Sequence, residues 1–378
     1  MPQATKYIEY TYPVDLTDTL SGPQTAYTDK TTKIIQIGTQ YILITDIQNK
    51  KTYIIPVHLK EKQLADSARK MTILDVETED DTVNIELLTT YRNTINIVRL
   101  AVDTKNKKTE TTLTYTHTLP TTPATPPAKH DDLIATATIT NQARALTLTL
   151  MSIREGTYTT TTIDTTDDKF IAADSTGKIT FGYDGKPKLL VAAIKLWWGE
   201  WAPCGSAFLY VVDIYSGKRD TRKIGSCCDY SSSVFYPNHS MLITSTLSLA
   251  SFGPYIYHIE ENKIYRTHIG NLPLDSVFIG ATSYGTVPII YQERGKLHYF
   301  ELDYRLDRAQ NSAILINTDF DTYGGRYMSR SLLDITEKAL YMPYISYRNN
   351  ISRVGLLRID LSDIDIETPN QHLLIQES

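Results

Sequence analysis

One pattern constrains this chain more than any other: a strand of alternating apolar residues that ends in aspartate, turns over four residues and returns on a basic residue. Tyr41-Ile-Leu-Ile-Thr-Asp46 turns through Ile-Gln-Asn-Lys to Lys51, and Ile97-Val-Arg-Leu-Ala-Val-Asp103 turns through Thr-Lys-Asn-Lys to Lys108. Phe208-Leu-Tyr-Val-Val-Asp213 turns through Ile-Tyr-Ser-Gly to Lys218, and His298-Tyr-Phe-Glu-Leu-Asp303 turns through Tyr-Arg-Leu-Asp to Arg308. Looser copies stand at Asp174-Ser-Thr-Gly-Lys178 and Leu356-Leu-Arg-Ile-Asp360, and Tyr255-Ile-Tyr-His-Ile-Glu260 returns through Lys263 over a tighter turn. Aspartate tolerates turn geometry and accepts backbone N–H bonds where a strand ends. Glycine or asparagine in the turn is expected to supply the residue of positive φ. The basic residue is expected beside the carboxylate in solvent, where such a pair is worth little. A hairpin of this kind cannot bury both faces alone, so repeated copies must cover one another.

Composition agrees. Among 378 residues there are 26 tyrosines, threonine crowds the first half, and isoleucine and valine are frequent. These side chains suit a pleated, half-buried surface and lose rotamer freedom in a helix. Helical periodicity is confined to a short stretch, Glu61 to Arg69. The expected fold is therefore all-β, and stacking the hairpins around a closed ring gives a β-propeller of four-stranded antiparallel blades. The spacing suggests seven blades, near 34–57, 71–117, 132–182, 188–225, 232–270, 276–317 and 331–368, or about 54 residues each. The first lacks a strand, and Tyr7-Ile-Glu-Tyr-Thr-Tyr12 either supplies it or pairs with the last blade. Six or eight blades remain open, because 132–182 divides in more than one way. The Pro- and Thr-rich stretch within 118–131 cannot enter a sheet interior and reads as an extended, exposed loop. The hairpins, of the form Val-Val-Asp-Ile-Tyr-Ser-Gly-Lys, resemble those of surface-layer and quinoprotein-type β-propellers. That likeness implies an architecture and no specific family.

Several function classes lose support. A net charge of −5 gives no general attraction to phosphate backbones, so nucleic acid is not expected as a partner. No apolar run reaches 18 residues, so no membrane insertion through a helix is expected. The first residues carry no basic-then-apolar signal, which leaves a cytoplasmic or virion-associated location as the expectation. Nucleotide-binding glycine loops and a Gly-x-Ser-x-Gly nucleophile elbow do not occur.

Candidate sites are few. All three tryptophans, Trp197, Trp198 and Trp201, lie within five residues beside Gly199 and Pro203. Such rings in a loop bind sugar faces, cations or protein partners; packed between neighbouring sheets they are only structural. Asn317, Asp319 and Asp321 alternate as calcium ligands do, but Gly324 comes late and Met328 stands where the bidentate glutamate belongs. No other cofactor is implied. Cys204 can pair with Cys227 or Cys228, or all three remain buried thiols. His258, His268 and His298 lack metal-ligand spacing and read as strand residues. Glu77 to Asp81 reads as a solvated hairpin tip. Asp174 to Phe181 resembles a sialidase aspartate box, with one extra residue and phenylalanine for tryptophan.

The expectation is a non-catalytic scaffold engaging protein or glycan, with the tryptophan loop as its contact. A Thr-, Tyr- and Ile-rich β-composition also resembles virion components of archaeal viruses, which implies a structural or attachment role. The alternative is a glycoside hydrolase or sialidase-like propeller enzyme with central carboxylates.

Overall fold

Strands account for nearly all of the regular structure, in groups of four. The computed structural model describes residues 2–20, 24–28, 32–57, 71–182, 184–198, 203–223, 234–238, 241–245, 255–258, 261–267, 277–278, 282, 285–293, 295–317, 332–334 and 338–365. Glu61 to Arg69 lies outside them, and the described helix is the single turn α1 (Thr17–Leu20). After β1 (Gln3–Tyr12) come β2 (Gln24–Thr28), β3 (Thr32–Ile37), β4 (Tyr41–Asp46) and β5 (Lys51–Pro56). The second group is β6 (Met71–Glu79), β7 (Thr82–Tyr91), β8 (Thr94–Asp103) and β9 (Lys108–Thr118). The third is β10 (Ala128–His130), β11 (Leu133–Thr140), β12 (Ala145–Ser152) and β13 (Tyr158–Thr165). The fourth is β14 (Lys169–Phe181), β15 (Pro187–Trp198), β16 (Pro203–Asp213) and β17 (Arg219–Lys223). There follow β18 (Val234–Asn238), β19 (Met241–Ser245), β20 (Tyr255–His258) and β21 (Lys263–Arg266), then β22 (Val277–Phe278), β23 (Val287–Glu293), β24 (Lys296–Asp303) and β25 (Arg308–Asn317). The last three are β26 (Leu332–Asp334), β27 (Ala339–Arg348) and β28 (Ile351–Asp360). Each group is an antiparallel meander in chain order, and β1 completes the last one in the order β1-β28-β27-β26. The N-terminal strand thus pairs with the C-terminal sheet, and β2 supplies the strand that the first group lacked.

Apolar clusters join each sheet to the next. Ile35, Ile42 and Ile55 pack on Val83, Ile85 and Val98; Leu88 and Ile95 pack on Ile134 and Met151. Leu146 and Leu148 meet Val191 and Tyr210, while Leu190 and Leu209 meet Tyr257. Tyr265 meets Tyr304 edge to face at 4.8 Å, and Ile290 and Tyr299 share a cluster with Leu340 and Leu357. The succession returns to its start, where Ile8, Tyr341 and Leu356 pack on Ile34 and Ile47. Three tyrosines of β1 fasten that junction by donating to backbone carbonyls forty residues on: Tyr7 to Ile47, Tyr10 to Lys50 and Tyr12 to Thr52. Within the closing sheet, Tyr344 lies against Gly355, where an added Cβ would come 2.1 Å from the ring, and donates to Glu9 at 2.5 Å. Only glycine leaves room for that ring.

The aspartate turns share one geometry. The backbone N–H three residues on donates to the carboxylate: Asn49 to Asp46, Asn106 to Asp103, Ser216 to Asp213 and Leu306 to Asp303, at 2.8–3.0 Å. Two expectations about these turns need correction. The positive φ falls on the fourth turn residue, which is Lys50, Lys107, Gly217 and Asp307, so Asn49 and Asn106 instead donate their side-chain amides to the aspartate. Asp46 and Asp213 are also buried rather than solvated, and Asp213 pairs with Lys188 at 3.0 Å, not with the basic residue that follows its turn.

Three more expectations differ from the structure. Residues 169–181 do not close the sheet of 132–165; they open the next one as β14, because Ala128–His130 already provides that sheet's fourth strand. The Pro-rich stretch is exposed only at Pro120 and Thr122. Leu119, Thr125 and Ala128 are buried, the N–H groups of Ala124 and Thr125 donate to the Ala137 carbonyl, and the Thr125 hydroxyl accepts from the Ala137 N–H. Prolines leave few donors in this segment, and its threonine hydroxyl covers part of the remaining need. Asp174 to Lys178 is no turn either: it lies within β14, where the register to β15 shifts between Ser175 and Ile179. The Glu77–Asp81 tip is a hairpin end, turning at Asp80 with φ of 49°.

Candidate functional site

Two of the tryptophans end a strand that outruns its neighbour β14. Trp197 and Trp198 are the last residues of β15, in register with Cys204 and Pro203 of β16. Pairing of β14 with β15 reaches only Leu196, and pairing of β16 with β17 reaches only Phe208 among the described residues. The equivalent hairpins β7–β8 and β27–β28 stay paired to an outer strand almost to their tips, at Thr94↔Thr118 and Ser352↔Tyr12. On the β14 side, Trp197 and Trp198 therefore stand beyond the last paired residue, with β16 as their partner among the described residues. Trp201 lies outside the described residues, as do Cys227, Cys228, Asp319, Asp321 and His268. Asn317 ends β25, and Cys204 is placed by its backbone in β16. His298 stacks on Tyr291 at 4.9 Å, in keeping with a strand position. No group of three or more His, Cys, Asp or Glu side chains among the described residues could hold a metal ion.

A second feature was missed in the sequence. A cleft of about 730 Å³ runs along β5, between residues 12–14 and the turn after β8. Lys51, Lys105 and Lys107 stand exposed along it, and Tyr12, Tyr41 and Tyr53 line it half-buried. Its wall is rigid for identifiable reasons. Thr104 donates through both its N–H and its hydroxyl to the Asp81 carbonyl at 2.9 Å, which fixes the lysine turn against the neighbouring hairpin. Lys51 lies over the Tyr53 ring with its Nζ 4.6 Å from the centroid. Burial, with the nearby Tyr10, raises the Tyr12 pKa, so Tyr12 remains a neutral donor to Thr52. None of the three lysines has a carboxylate within 4.0 Å among the described residues. The signal available in the sequence was a pair of lysines in each of two successive turns, Lys50-Lys51 and Lys107-Lys108.

Two covered ionic groups elsewhere among the described residues are paired and structural. Lys195 bridges to Asp164 at 2.6 Å, and Tyr210 donates to the same carboxylate oxygen at 2.6 Å, joining β15 and β16 to β13 of the preceding sheet. Burial works against the Asp164 charge, yet Lys195 and Tyr210 hold its pKa below the usual range; burial and that carboxylate push Tyr210 well up. Lys188 sits between Asp184 and Asp213, each at 3.0 Å. Burial alone would raise Asp213, but the Ser216 N–H and the Lys188 ammonium hold it at about 2. Such groups fix the sheet-to-sheet geometry and leave no proton to exchange near neutrality.

No protein-family model and no curated protein matches this chain. Solved structures do. A streptogramin B lyase superimposes with a TM-score of 0.50 at 10% identity, over 95% of this chain and 98% of that one. The virginiamycin B lyase from Staphylococcus aureus gives 0.47 at 13%, covering 95% and 100%, and the Dos1 propeller gives 0.43 at 12%, covering 93% and 94%. The fold is of the β-propeller type. At these identities the likeness reaches the fold and stops there, since propellers carry both enzymes and non-enzymes. No helix among the described residues is long and apolar enough to cross a membrane.

Proposed function

We propose that this chain is a seven-bladed propeller that serves as a non-catalytic binding scaffold, engaging a protein or glycan through the tryptophan-bearing β15–β16 hairpin. The blade count is supported by the seven four-stranded sheets and by contacts that pass from each sheet to the next and back to the first. The binding role rests on one observation, that β15 runs past the last residue paired to β14, which leaves Trp197 and Trp198 beyond that strand. Aromatic side chains at a strand end that one neighbouring strand leaves uncovered gain area by contact with a partner. A structural or attachment role on a particle surface belongs to the same reading.

The discriminating experiment pairs a glycan array with a chromogenic glycoside panel. The scaffold reading expects array binding that disappears when Trp197, Trp198 and Trp201 are replaced by alanine while the melting temperature holds, with no turnover. Hydrolysis that survives Trp197→Ala and is lost in Asp75→Asn, a carboxylate exposed on β6, would replace this reading with that of a hydrolase.

A further inference from the structure

The cleft along β5 brings together three lysines with no carboxylate within 4.0 Å among the described residues and a wall of three tyrosine rings. The chain as a whole carries a net charge of −5, whereas three exposed lysines and one carboxylate, Asp81, line this cleft, with Asp103 near Lys105. Several other cations are matched, Lys188 by Asp184 and Asp213, Lys195 by Asp164, and Arg305 by Glu261. Between the lysines, Tyr12, Tyr41 and Tyr53 with Ile54 offer flat and apolar surface.

We propose that this cleft binds an acidic oligosaccharide, with Lys51, Lys105 and Lys107 meeting sugar carboxylates and the tyrosine rings meeting the C–H faces of the pyranose rings. Aromatic faces suit sugar rings, and ammonium groups form short, charge-assisted bonds to carboxylates. The alternative occupant of a sheet edge is an added peptide strand, and the edge argues against it. The Val57 N–H donates to Gln40 across the β4–β5 ladder, so alternation turns the backbone groups of Thr52, Ile54 and residue 56 outward. Residue 56 is a proline without an N–H, and the Thr52 carbonyl already accepts the Tyr12 hydroxyl. A strand docking here would lose two of its ladder bonds within five residues.

The test is calorimetric titration of the full chain at low salt with tetragalacturonate, its methyl ester and hexaglutamate. Tetragalacturonate is expected to bind, to weaken with added salt as exposed charge pairs do, and to lose about tenfold in affinity in Lys105→Gln/Lys107→Gln. The ester, with the same rings and no charge, is expected not to bind, and Trp201→Ala is expected to leave the affinity unchanged. The lysine substitutions lie at exposed turn positions, and an unchanged melting temperature shows that the fold is kept. Absence of tetragalacturonate binding, equal affinity in the double variant, or tighter binding of hexaglutamate would overturn the proposal. Since the cleft and the tryptophan hairpin are varied separately, failure here leaves the scaffold reading standing and the reverse also holds.

Discussion

The turns after β8 and after β16 are the same local object in opposite surroundings. Both begin with an aspartate that accepts a backbone N–H three residues on at 2.8 Å, and both place the fourth turn residue at positive φ. At Asp213 the turn folds inward onto Lys188, the carboxylate is 4% exposed, and its charge is held by a largely covered ammonium. At Asp103 the carboxylate is only partly covered, its second partner is the Asn106 amide, and the turn lysines point to solvent. Local sequence therefore fixes the turn, while the residue opposite decides whether its charges stabilise the fold or remain available to a ligand.

Substitution at the two equivalent aspartates breaks the comparison most sharply. Asp213→Ala leaves Lys188 with one carboxylate in a buried site and is expected to cost about 3 kcal/mol in chemical denaturation. Asp103→Ala removes a surface acceptor and is expected to cost clearly less. Equal costs would mean that Lys188 adds nothing to the common turn.

Acid titration sharpens the same point. A carboxyl whose folded pKa of about 2 lies below its ordinary value stabilises the fold above that ordinary value and loses the contribution as pH falls through 4 toward 2. The expected loss is about 2 kcal/mol. Denaturation midpoints measured between pH 5 and pH 2 should fall more steeply in the native chain than in Asp213→Asn. Parallel profiles would remove Asp213 from the acid response.

The left-handed positions give smaller effects of opposite sign. Gly217→Ala strains a residue at φ of 66° and brings a Cβ within 2.9 Å of Thr161 Cγ2, an expected loss of about 1–2 kcal/mol. Lys107→Gly relieves a non-glycine residue at φ of 55° and is expected to gain up to about 1 kcal/mol. Smallest of all, Lys105→Gln with Lys107→Gln should change thermal stability by less than about 0.5 kcal/mol, because both side chains are exposed and without ion pairs. A larger loss would show that these lysines serve the fold.

The same contrast explains how much could be read from the chain. Hairpins were legible because alternation and an aspartate stop are local signals, and the turns at Asp46, Asp103, Asp213 and Asp303 all follow them. Edges of sheets were not. Ala128–His130 is three residues long and follows four prolines, so nothing local separates it from a loop, and its omission pushed residues 169–181 into the wrong sheet. Asp174 to Lys178 shows the converse error: the right residues for a turn lie in a bulge, because pairing with β15 resumes at Ile179. The cleft was invisible for a third reason. Its walls come from Tyr12, Tyr53 and Lys105, residues brought together only when β1 pairs with β28 and lies on the first sheet, which packs in turn on the second.

Closure of the sheets into a single circuit carries the rest, and electron–electron distance measurements between spin labels on equivalent turns test it directly. With one label at Asn49 and the other at Asn106, Ser216 or Ser362, the account predicts short distances to Asn106 and to Ser362, whose sheets flank that of Asn49, and the longest to Ser216. A distance that instead grows with sequence separation, with the pair 49–362 longest, would contradict a closed ring and with it the equivalence of the repeated hairpins.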